Sequence, residues 1–387
     1  MPEAAASPRV LAPATPQPLA AELTEAQAAG LSVLPAGLSR RRGPGAPPTR
    51  VDLVLSTQAL AGLVAYEPGD QTVTVRAGTP LIELQAALAA HRQVLPATDA
   101  DGSLGGLLAT AQDGPLDLLH GRLRERLLGA TVALPDGSLA SGRGRVVKNV
   151  AGYDLPRLLW GSLGTLGVIV EATLRVEPCP AARMRLTAHW ADSGPAFAAA
   201  RQVLDAPLQP AAADVLATGA GASLQVLLEG PPAGVAARAA ALRELLAPGG
   251  PADMQLDEED PAAVVRDPLQ PGRRGALVRV ACEAAAQPAL ASALISGDRP
   301  PAVLARPGLE LLFAAWAGTP PPEVLQRVLA LGRAAGQAVL WRAPRGLHTS
   351  VEMVWGPPPA DLPLMRRVKA ALDPRGTLAA GRFVGGL

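Results

Sequence analysis

Cysteine and histidine are scarce in this chain of 387 residues, which has two cysteines and four histidines. Cys179 and Cys282 stand far apart, so this chain alone builds neither a disulfide framework, nor a zinc site, nor an iron–sulfur cluster. No two histidines have the spacing of metal ligands. Such cysteine usage fits a reducing compartment, and we expect a cytoplasmic protein, with any membrane association made through partners.

Long apolar runs are also missing. Residues 276–295 form the longest candidate, but Arg279, Glu283 and Pro288 interrupt it, so we expect no transmembrane segment. The first residues lack the basic region and apolar stretch of a secretory signal. The net charge is only +1, and no basic stretch is interleaved with aromatic residues, which argues against nucleic acid as a partner.

The length and composition favour two compact domains, because 49% of the residues are hydrophobic and 18% are charged. We predict four parts in chain order. They are a loose Pro/Ala-rich tail over 1–20, a first domain over 21–178, a second domain over 179–362, and a closing segment over 363–387 that returns to the first domain.

In the first domain, residues 71–78 alternate apolar and polar side chains, which is typical of a half-buried strand. A helix should follow, with Thr79 as its cap and with Leu81, Leu84 and Leu88 on one face. Short strands are also predicted near 31–37 and 50–57 and on both sides of the Asp136–Gly137 turn.

The second domain repeats one pattern twice between about 181 and 336: strand, helix, strand, strand, helix. Two such units commonly form one antiparallel sheet with helices on a single face. This predicts the α+β class. Residues 348–356 are predicted to add an edge strand, and a closing helix is predicted after residue 360.

Two glycine-bearing segments stand out in the first domain. Ser103 should cap a helix that begins with Gly105 and Gly106, where unpaired N–H groups and the positive end of the dipole attract phosphate. Residues 161–167 carry a G-x-x-G-x-x-G spacing directly before a strand. The alternative for either segment is close backbone packing. Neither matches the Rossmann fingerprint, which opens a helix, and no glycine precedes the Lys-Ser or Lys-Thr of a P-loop.

Three stretches together resemble a known family: VTVRAGTPLIELQAAL, SLGGLLAT and VVKNVAGYDLPRLLWGSLGTLGVIVEATLRV. They are similar to the PCMH-type FAD-binding domain of the vanillyl-alcohol-oxidase superfamily, which has two subdomains and is followed by an α+β cap domain. Within that superfamily, the amino-acid sequence around residues 148–167 is most similar to that of the E subunits of bacterial glycolate oxidase. The close match covers roughly residues 50–178.

The resemblance implies where FAD binds. The diphosphate would lie between the first loop, made of Pro35, Ala36, Gly37, Leu38 and Ser39, and the helix start with Ser103, Gly105 and Gly106. The flavin and adenosine parts would pass Gly161, Gly164, Thr165, Gly167 and Ile169. Lys148 and Asn149 are candidates for polar contacts near the flavin, although a surface lysine and a turn-forming asparagine are equally open readings.

The first loop departs from the family pattern, because it holds Ala36 and Leu38 where glycine is more usual, which puts its affinity for phosphate in question. It also lacks the histidine that anchors FAD covalently in many members, so we predict dissociable, non-covalent FAD. In the closing segment, Ala379 and Ala380 stand where Asn-Pro is typical.

Catalysis on a 2-hydroxy acid requires a base and cations that hold the carboxylate. The one cluster of this kind in the second domain is His348 with Arg342 and Arg345, and a merely solvated cluster is the alternative. The scarcity of histidine favours a FAD-carrying subunit that works with a larger catalytic flavoprotein and an iron–sulfur subunit of a glycolate oxidase. Two alternatives are a self-sufficient FAD-dependent dehydrogenase and a flavin-free scaffold subunit.

Overall fold

The computed structural model describes residues 7–39, 44–97, 101–142, 154–265, 275–344, 347 and 349–387. In its first half the strands are β1 (Arg9–Leu11), β2 (Val33–Ala36), β3 (Leu53–Ser56), β4 (Leu63–Glu67), β5 (Thr72–Arg76), β6 (Gln93–Val94), β7 (Leu127–Ala133), β8 (Leu139–Gly142), β9 (Val168–Arg175) and β10 (Glu177–Pro178). The helices there are α1 (Pro16–Ala28), α2 (Leu81–Ala89), α3 (Leu104–Thr110), α4 (Asp117–His120), α5 (Leu123–Arg126) and α6 (Leu155–Leu159).

The second half begins at β11. In chain order its elements are β11 (Ala182–Trp190), α7 (Ser193–Asp205), β12 (Ala212–Thr218), β13 (Gly221–Gly230), α8 (Pro232–Leu246), β14 (Asp253–Glu259), β15 (Leu277–Ala281), α9 (Gln287–Ile295), β16 (Ala302–Arg306), β17 (Leu311–Ala315), α10 (Pro322–Ala335), β18 (Gln337–Arg342), α11 (Val351–Trp355) and α12 (Leu362–Leu372).

The first half contains two main sheets. A three-stranded parallel sheet has the order β1-β3-β2, and a five-stranded antiparallel sheet has the order β4-β5-β9-β7-β8. The predicted alternation in β5 is confirmed, since Val73 and Val75 are almost fully buried. The predicted hairpin is confirmed as well, because Gly137 takes the positive φ of 83° that its turn needs.

One predicted helix cap is confirmed and another is wrong. The Ser103 hydroxyl accepts a hydrogen bond from the Gly106 N–H at 3.3 Å and caps α3. Thr79 does not cap α2, whose N-cap is Pro80. The Thr79 hydroxyl instead donates to the Arg76 carbonyl at 2.7 Å, because the tight turn after β5 places that carbonyl beside it.

The second half is built on one eight-stranded antiparallel sheet with the order β14-β11-β13-β12-β16-β17-β15-β18. Helices α7 to α10 share one apolar core with alternate strand residues, such as Val215 and Ala217 in β12. The intervening Asp214 and Leu216 lie outside that core, on the opposite face of the sheet. The predicted repeat of strand, helix, strand, strand, helix and the α+β class are therefore confirmed.

The edge strand is not where we predicted it. Residues 351–355 form helix α11, because Ser350 caps it by accepting a hydrogen bond from the Met353 N–H at 3.0 Å. The edge strand is β18, at 337–342, which pairs with β15. We predicted no element over 337–342, and a short apolar stretch of this kind does not by its periodicity distinguish a strand from a helix.

The chain's two ends both contact the first half. Residues 9–20 differ from the loose tail expected over 1–20, since β1 pairs with β3 and Leu19 of α1 is fully buried. Near the other end, Leu378 forms an isolated parallel bridge with Val33 at the start of β2. The Val33 N–H donates to the Thr377 carbonyl at 2.7 Å. Among the described residues, every helix falls short of the length and apolarity needed to cross a bilayer.

Candidate functional site

A narrow cleft lies where three segments of the first half meet the end of the chain. It has a volume of about 100 Å³, and we call it the glycine cleft. The segments are β2 with the residues after it, the start of α3, and the glycine segment that leads into β9. The cleft is lined by Leu34, Pro35, Ala36, Gly37, Leu38, Ser39, Thr57, Gly102, Ser103, Gly105, Gly106, Ala109, Thr110, Leu163, Gly164, Gly167, Ile169 and Arg382.

The absence of side chains is what allows these segments to approach one another. A Cβ added to Gly37 would lie 2.3 Å from the Ser103 hydroxyl oxygen, which is far inside contact distance. A Cβ added to Gly164, whose φ is +76°, would meet the Pro35 ring at 3.2 Å. A side chain at Gly37 would force the Ser103 hydroxyl to move, and one at Gly164 would press on Pro35 and be strained by the positive φ.

The hydrogen-bond donors of the cleft differ from our expectation. The first-turn N–H groups of α3 are already used, since Leu104 donates to the Thr79 carbonyl at 3.0 Å and Gly105 to the Ala77 carbonyl at 2.7 Å. Within the described residues, the backbone N–H groups of Gly37 and Leu38 make no hydrogen bond. The first loop, rather than the helix start, thus offers the amide donors.

Most residues predicted to bind the cofactor line this cleft together. The exceptions among the described residues are Gly161 and Thr165, which line a neighbouring groove on the other side of the glycine segment. Lys148 and Asn149 lie outside the described residues, and so do Arg345 and His348. Arg342 lies at the end of β18, opposite Leu277 of β15.

Arg382 is a cleft residue that sequence reasoning missed. Its Nη2 atom donates to the Pro44 carbonyl at 3.0 Å, and its own carbonyl accepts hydrogen bonds from the Ala46 N–H at 2.9 Å and from the Trp355 indole at 3.1 Å. It lies more than 200 residues from the glycine segment in the chain, so spacing alone gave no signal. The available clue was its position in the closing segment, two residues after Ala380, where the family resemblance also applies.

The neighbouring groove is larger and more apolar than the cleft, with a volume of about 600 Å³. Trp160, Leu166, Leu364 and Phe383 are among the side chains that form it. The glycine segment separates it from the cleft, because residues 161–167 contribute to both walls.

The loop and helix after α3 join the first half to the eight-stranded sheet through buried charges. The Asp113 carboxylate accepts a hydrogen bond from Arg279 Nε of β15 at 2.7 Å, and its carbonyl lies 3.5 Å from Nη1 of Arg306 in β16. The Arg306 Nε lies 3.4 Å from the Asp214 carboxylate. Nearby, burial raises the pKa of Asp117 to about 6, even though the Gly114 N–H donates to its carboxylate.

A second link across the two halves involves His120, to which the sequence assigned no role. Its Nε2 lies 3.1 Å from the Glu229 carboxylate, which also pairs with Arg183 Nη2 at 2.6 Å. Burial alone would raise the pKa of Glu229, but the His120 hydrogen bond and the Arg183 charge outweigh it and leave that pKa lowered. The face of the sheet that lies opposite the helices is therefore occupied by internal ion pairs.

The comparisons with known proteins agree with this geometry. Residues 7–142 match the model of a FAD binding domain family. Over nearly the whole chain, the fold is that of the solved structure of a chitooligosaccharide oxidase, with a TM-score of 0.68 at 15% identity over 95% of this chain and 89% of that one. Residues 7–142 thus form a PCMH-type FAD-binding domain, and the chain as a whole shares the fold of that oxidase.

Among curated proteins, the chain is similar to glycolate oxidase subunit GlcE of Escherichia coli, with 38% identity over 136 residues. That match covers 34% of this chain and 39% of the relative. It is also similar to a D-2-hydroxyglutarate dehydrogenase of Xanthomonas citri pv. viticola, with 36% identity over 167 residues, or 42% of this chain and 35% of the relative. The matched segments thus span less than two fifths of either relative.

Proposed function

We propose that the chain holds FAD non-covalently in the glycine cleft and acts as a flavin-carrying subunit of a complex that oxidises a small 2-hydroxy acid, as glycolate oxidase does. The observation that carries the proposal is the convergence of the first loop, the α3 start and the glycine segment on one side-chain-poor cleft. The similarity to a subunit named for glycolate oxidase supports the choice of complex.

The cleft fits the narrow middle of an extended dinucleotide. Its volume of about 100 Å³ is below the roughly 300–1,000 Å³ of pockets that enclose a whole ligand, so the two ring systems would extend beyond it. The N–H groups of Gly37 and Leu38 and the Ser103 hydroxyl supply donors for the diphosphate, and the Arg382 guanidinium supplies a positive charge.

The glycine segment gives the cofactor a firm wall. Thr165 closes a tight turn, since its N–H and hydroxyl both donate to the Ser162 carbonyl, at 3.0 and 2.8 Å. The bound flavin supplies two-electron chemistry that the protein side chains lack. The described residues that line the cleft include neither histidine nor cysteine, which supports dissociable FAD.

The ion pairs on the sheet favour a substrate site provided with the help of a partner subunit over one formed by this chain alone. Arg279 and Arg306, two cations on the face turned toward the first half, are paired with Asp113 and Asp214. A substrate carboxylate would have to displace these internal carboxylates. We therefore assign turnover of the 2-hydroxy acid to a larger catalytic flavoprotein partner, with electrons leaving through an iron–sulfur subunit. Arg342, Arg345 and His348 are our candidates for any contact that this chain makes to the substrate.

Absorbance spectroscopy of the purified protein tests the proposal. We expect visible flavin bands after reconstitution with FAD, release of the flavin into the supernatant on acid precipitation, and no bleaching by glycolate under anaerobic conditions. Addition of the partner subunits should restore bleaching by glycolate. Absence of bound flavin would favour the scaffold alternative, and bleaching of the isolated chain would favour the self-sufficient dehydrogenase.

A further inference from the structure

We propose that a buried ion pair in the closing segment, Lys369 with Asp373, sets the geometry of the glycine cleft. Neither residue touches the cleft lining of the first loop directly, so both are positioning residues. The inference rests on the proposed binding of FAD in that cleft. The pair lies on the last turn of α12 and just after it, and the Asp373 side chain is fully buried.

Lys369 ties the glycine segment to the closing segment. Its ammonium group donates three hydrogen bonds, at 2.6 Å to the Asp373 carboxylate, 2.6 Å to the Thr165 carbonyl and 3.0 Å to the Leu378 carbonyl. These use its full set of donors. Thr165 follows Gly164 directly, so the lysine binds the glycine segment on the side that faces away from the cleft.

Asp373 ties the same cluster to the first loop. Its carboxylate accepts hydrogen bonds from the N–H groups of Thr377 and Leu378, both at 2.8 Å. This holds Thr377 and Leu378 beside Val33, whose carbonyl accepts the Ala379 N–H at 2.8 Å. Val33 begins β2, and β2 leads directly into the first loop.

The two walls therefore share one anchor. At the front they touch where the Pro35 ring lies against Gly164. At the back, Lys369 binds the glycine segment directly, and Asp373 is linked to the first-loop wall through Leu378 and Val33. Burial lowers the pKa of Lys369, while the hydrogen bond to Asp373 opposes that shift and favours the charged form. Loss of the lysine would release the Thr165 carbonyl and leave the Asp373 carboxylate buried without its cation.

The test compares Lys369→Met, Lys369→Arg and a control, Arg183→Met. Arg183 pairs with Glu229 in the second half, where both side chains are as buried as those of the proposed pair, yet it contacts no cleft residue. We expect Lys369→Met to raise the dissociation constant for FAD about tenfold or more, because one wall loses its anchor. Lys369→Arg should bind FAD more tightly than Lys369→Met, since it keeps a positive charge beside Asp373. Arg183→Met should leave the FAD affinity unchanged while lowering stability.

Amide hydrogen exchange of the FAD-free protein supplies a second readout. Lys369→Met should speed exchange at residues 33–36 and 161–167 together, and Arg183→Met should affect neither segment. Wild-type FAD affinity in a folded Lys369→Met variant, or equal losses in the control, would overturn the inference. A wild-type protein that binds no FAD would overturn the proposed function instead, and the exchange data would still decide the positioning role.

Discussion

Glycine is the residue on which the candidate site depends most. The sequence places Gly161, Gly164 and Gly167 three apart, which identified the segment, but spacing does not say what each glycine approaches. In the structure the two glycines have different neighbours. Gly164 lies against Pro35, and a Cβ added to Gly167 would lie 2.4 Å from the Val132 side chain. Gly37 belongs to no glycine motif and was predicted only as part of the first loop. A glycine fits there because the Ser103 hydroxyl, on another segment, occupies the space that a Cβ would take.

Replacement of Gly37 by alanine should weaken FAD binding by about tenfold. The new Cβ would lie 2.3 Å from the Ser103 hydroxyl oxygen, so Ser103 would have to leave its capping position. That loss costs about 1 kcal/mol of helix stability and widens the cleft. Titration of the FAD-free variant by flavin fluorescence measures the effect.

A substitution at Ser103 distinguishes the steric clash at residue 37 from the loss of the α3 helix cap. Ser103→Ala removes the clashing oxygen, so Gly37→Ala should weaken FAD binding less in the Ser103→Ala background than in the wild type. Gly69→Ala is the matched control, because an added Cβ there meets open space. Equal FAD affinity for Gly37→Ala and Gly69→Ala would contradict the steric account.

Among the elements, the short helix α4 carries the most unexpected role. Sequence patterns favoured longer elements with clear periodicity, and four residues are too few to show a helical period. The structure nevertheless places the Asp113 loop and α4 against β12 and β15, with Asp113 bonded to Arg279 and His120 to Glu229. Such pairings join residues more than 100 positions apart, which local propensity does not encode.

Substitution of Asp117 by asparagine should stabilise the protein at neutral pH but not at pH 4. Burial raises the folded-state pKa to about 6 from 3.8, so the folded state binds the proton more tightly than the unfolded chain. The stability that this carboxyl contributes is full below pH 3.8 and is lost as the pH rises to about 6. Asparagine does not titrate, so its advantage should grow across this window to about 2 kcal/mol, allowing for the residue's partial exposure.

Urea unfolding at pH 4 and pH 7.5 gives the difference between the variant and the wild type. Asp70→Asn, on an exposed turn, controls for the loss of a surface carboxylate. A stability difference for Asp117→Asn that stays constant with pH would show that burial does not penalise the charge.

In the whole molecule, buried charges join the two halves beside a small apolar cluster, in which Leu116 packs with residues of the second half such as Ala212 and Leu227. Arg306 is 1% exposed and lies between the Asp214 carboxylate, the Asp113 carbonyl and the Phe313 ring, whose centroid is 5.2 Å from its guanidinium carbon. Composition predicted two domains, but a near-neutral chain gave no hint that its charges would be concentrated between them.

Substitution of Arg306 by methionine should lower the free energy of unfolding by about 3–5 kcal/mol, because it removes the cation from a buried pair and leaves the Asp214 carboxylate in place. Urea unfolding followed by tryptophan fluorescence measures the change. Arg201→Met is the control, since Arg201 and Asp205 are 85% and 73% exposed, and its effect should stay within about 0.5 kcal/mol. Similar midpoints for both variants would show that the buried pair contributes little.

By itself, the sequence determined the elements whose signals are local: the alternation of β5, the turn at Gly137, the Ser103 cap, and the twice-repeated order of strands and helices in the second half. It also identified the cofactor-binding family from contiguous motifs. Only the tertiary structure decided that Val33 pairs with Leu378, that Lys369 reaches Thr165, and that Arg382 enters the cleft. Those contacts depend on the path of the whole chain, whereas propensity and periodicity act over a few neighbouring residues.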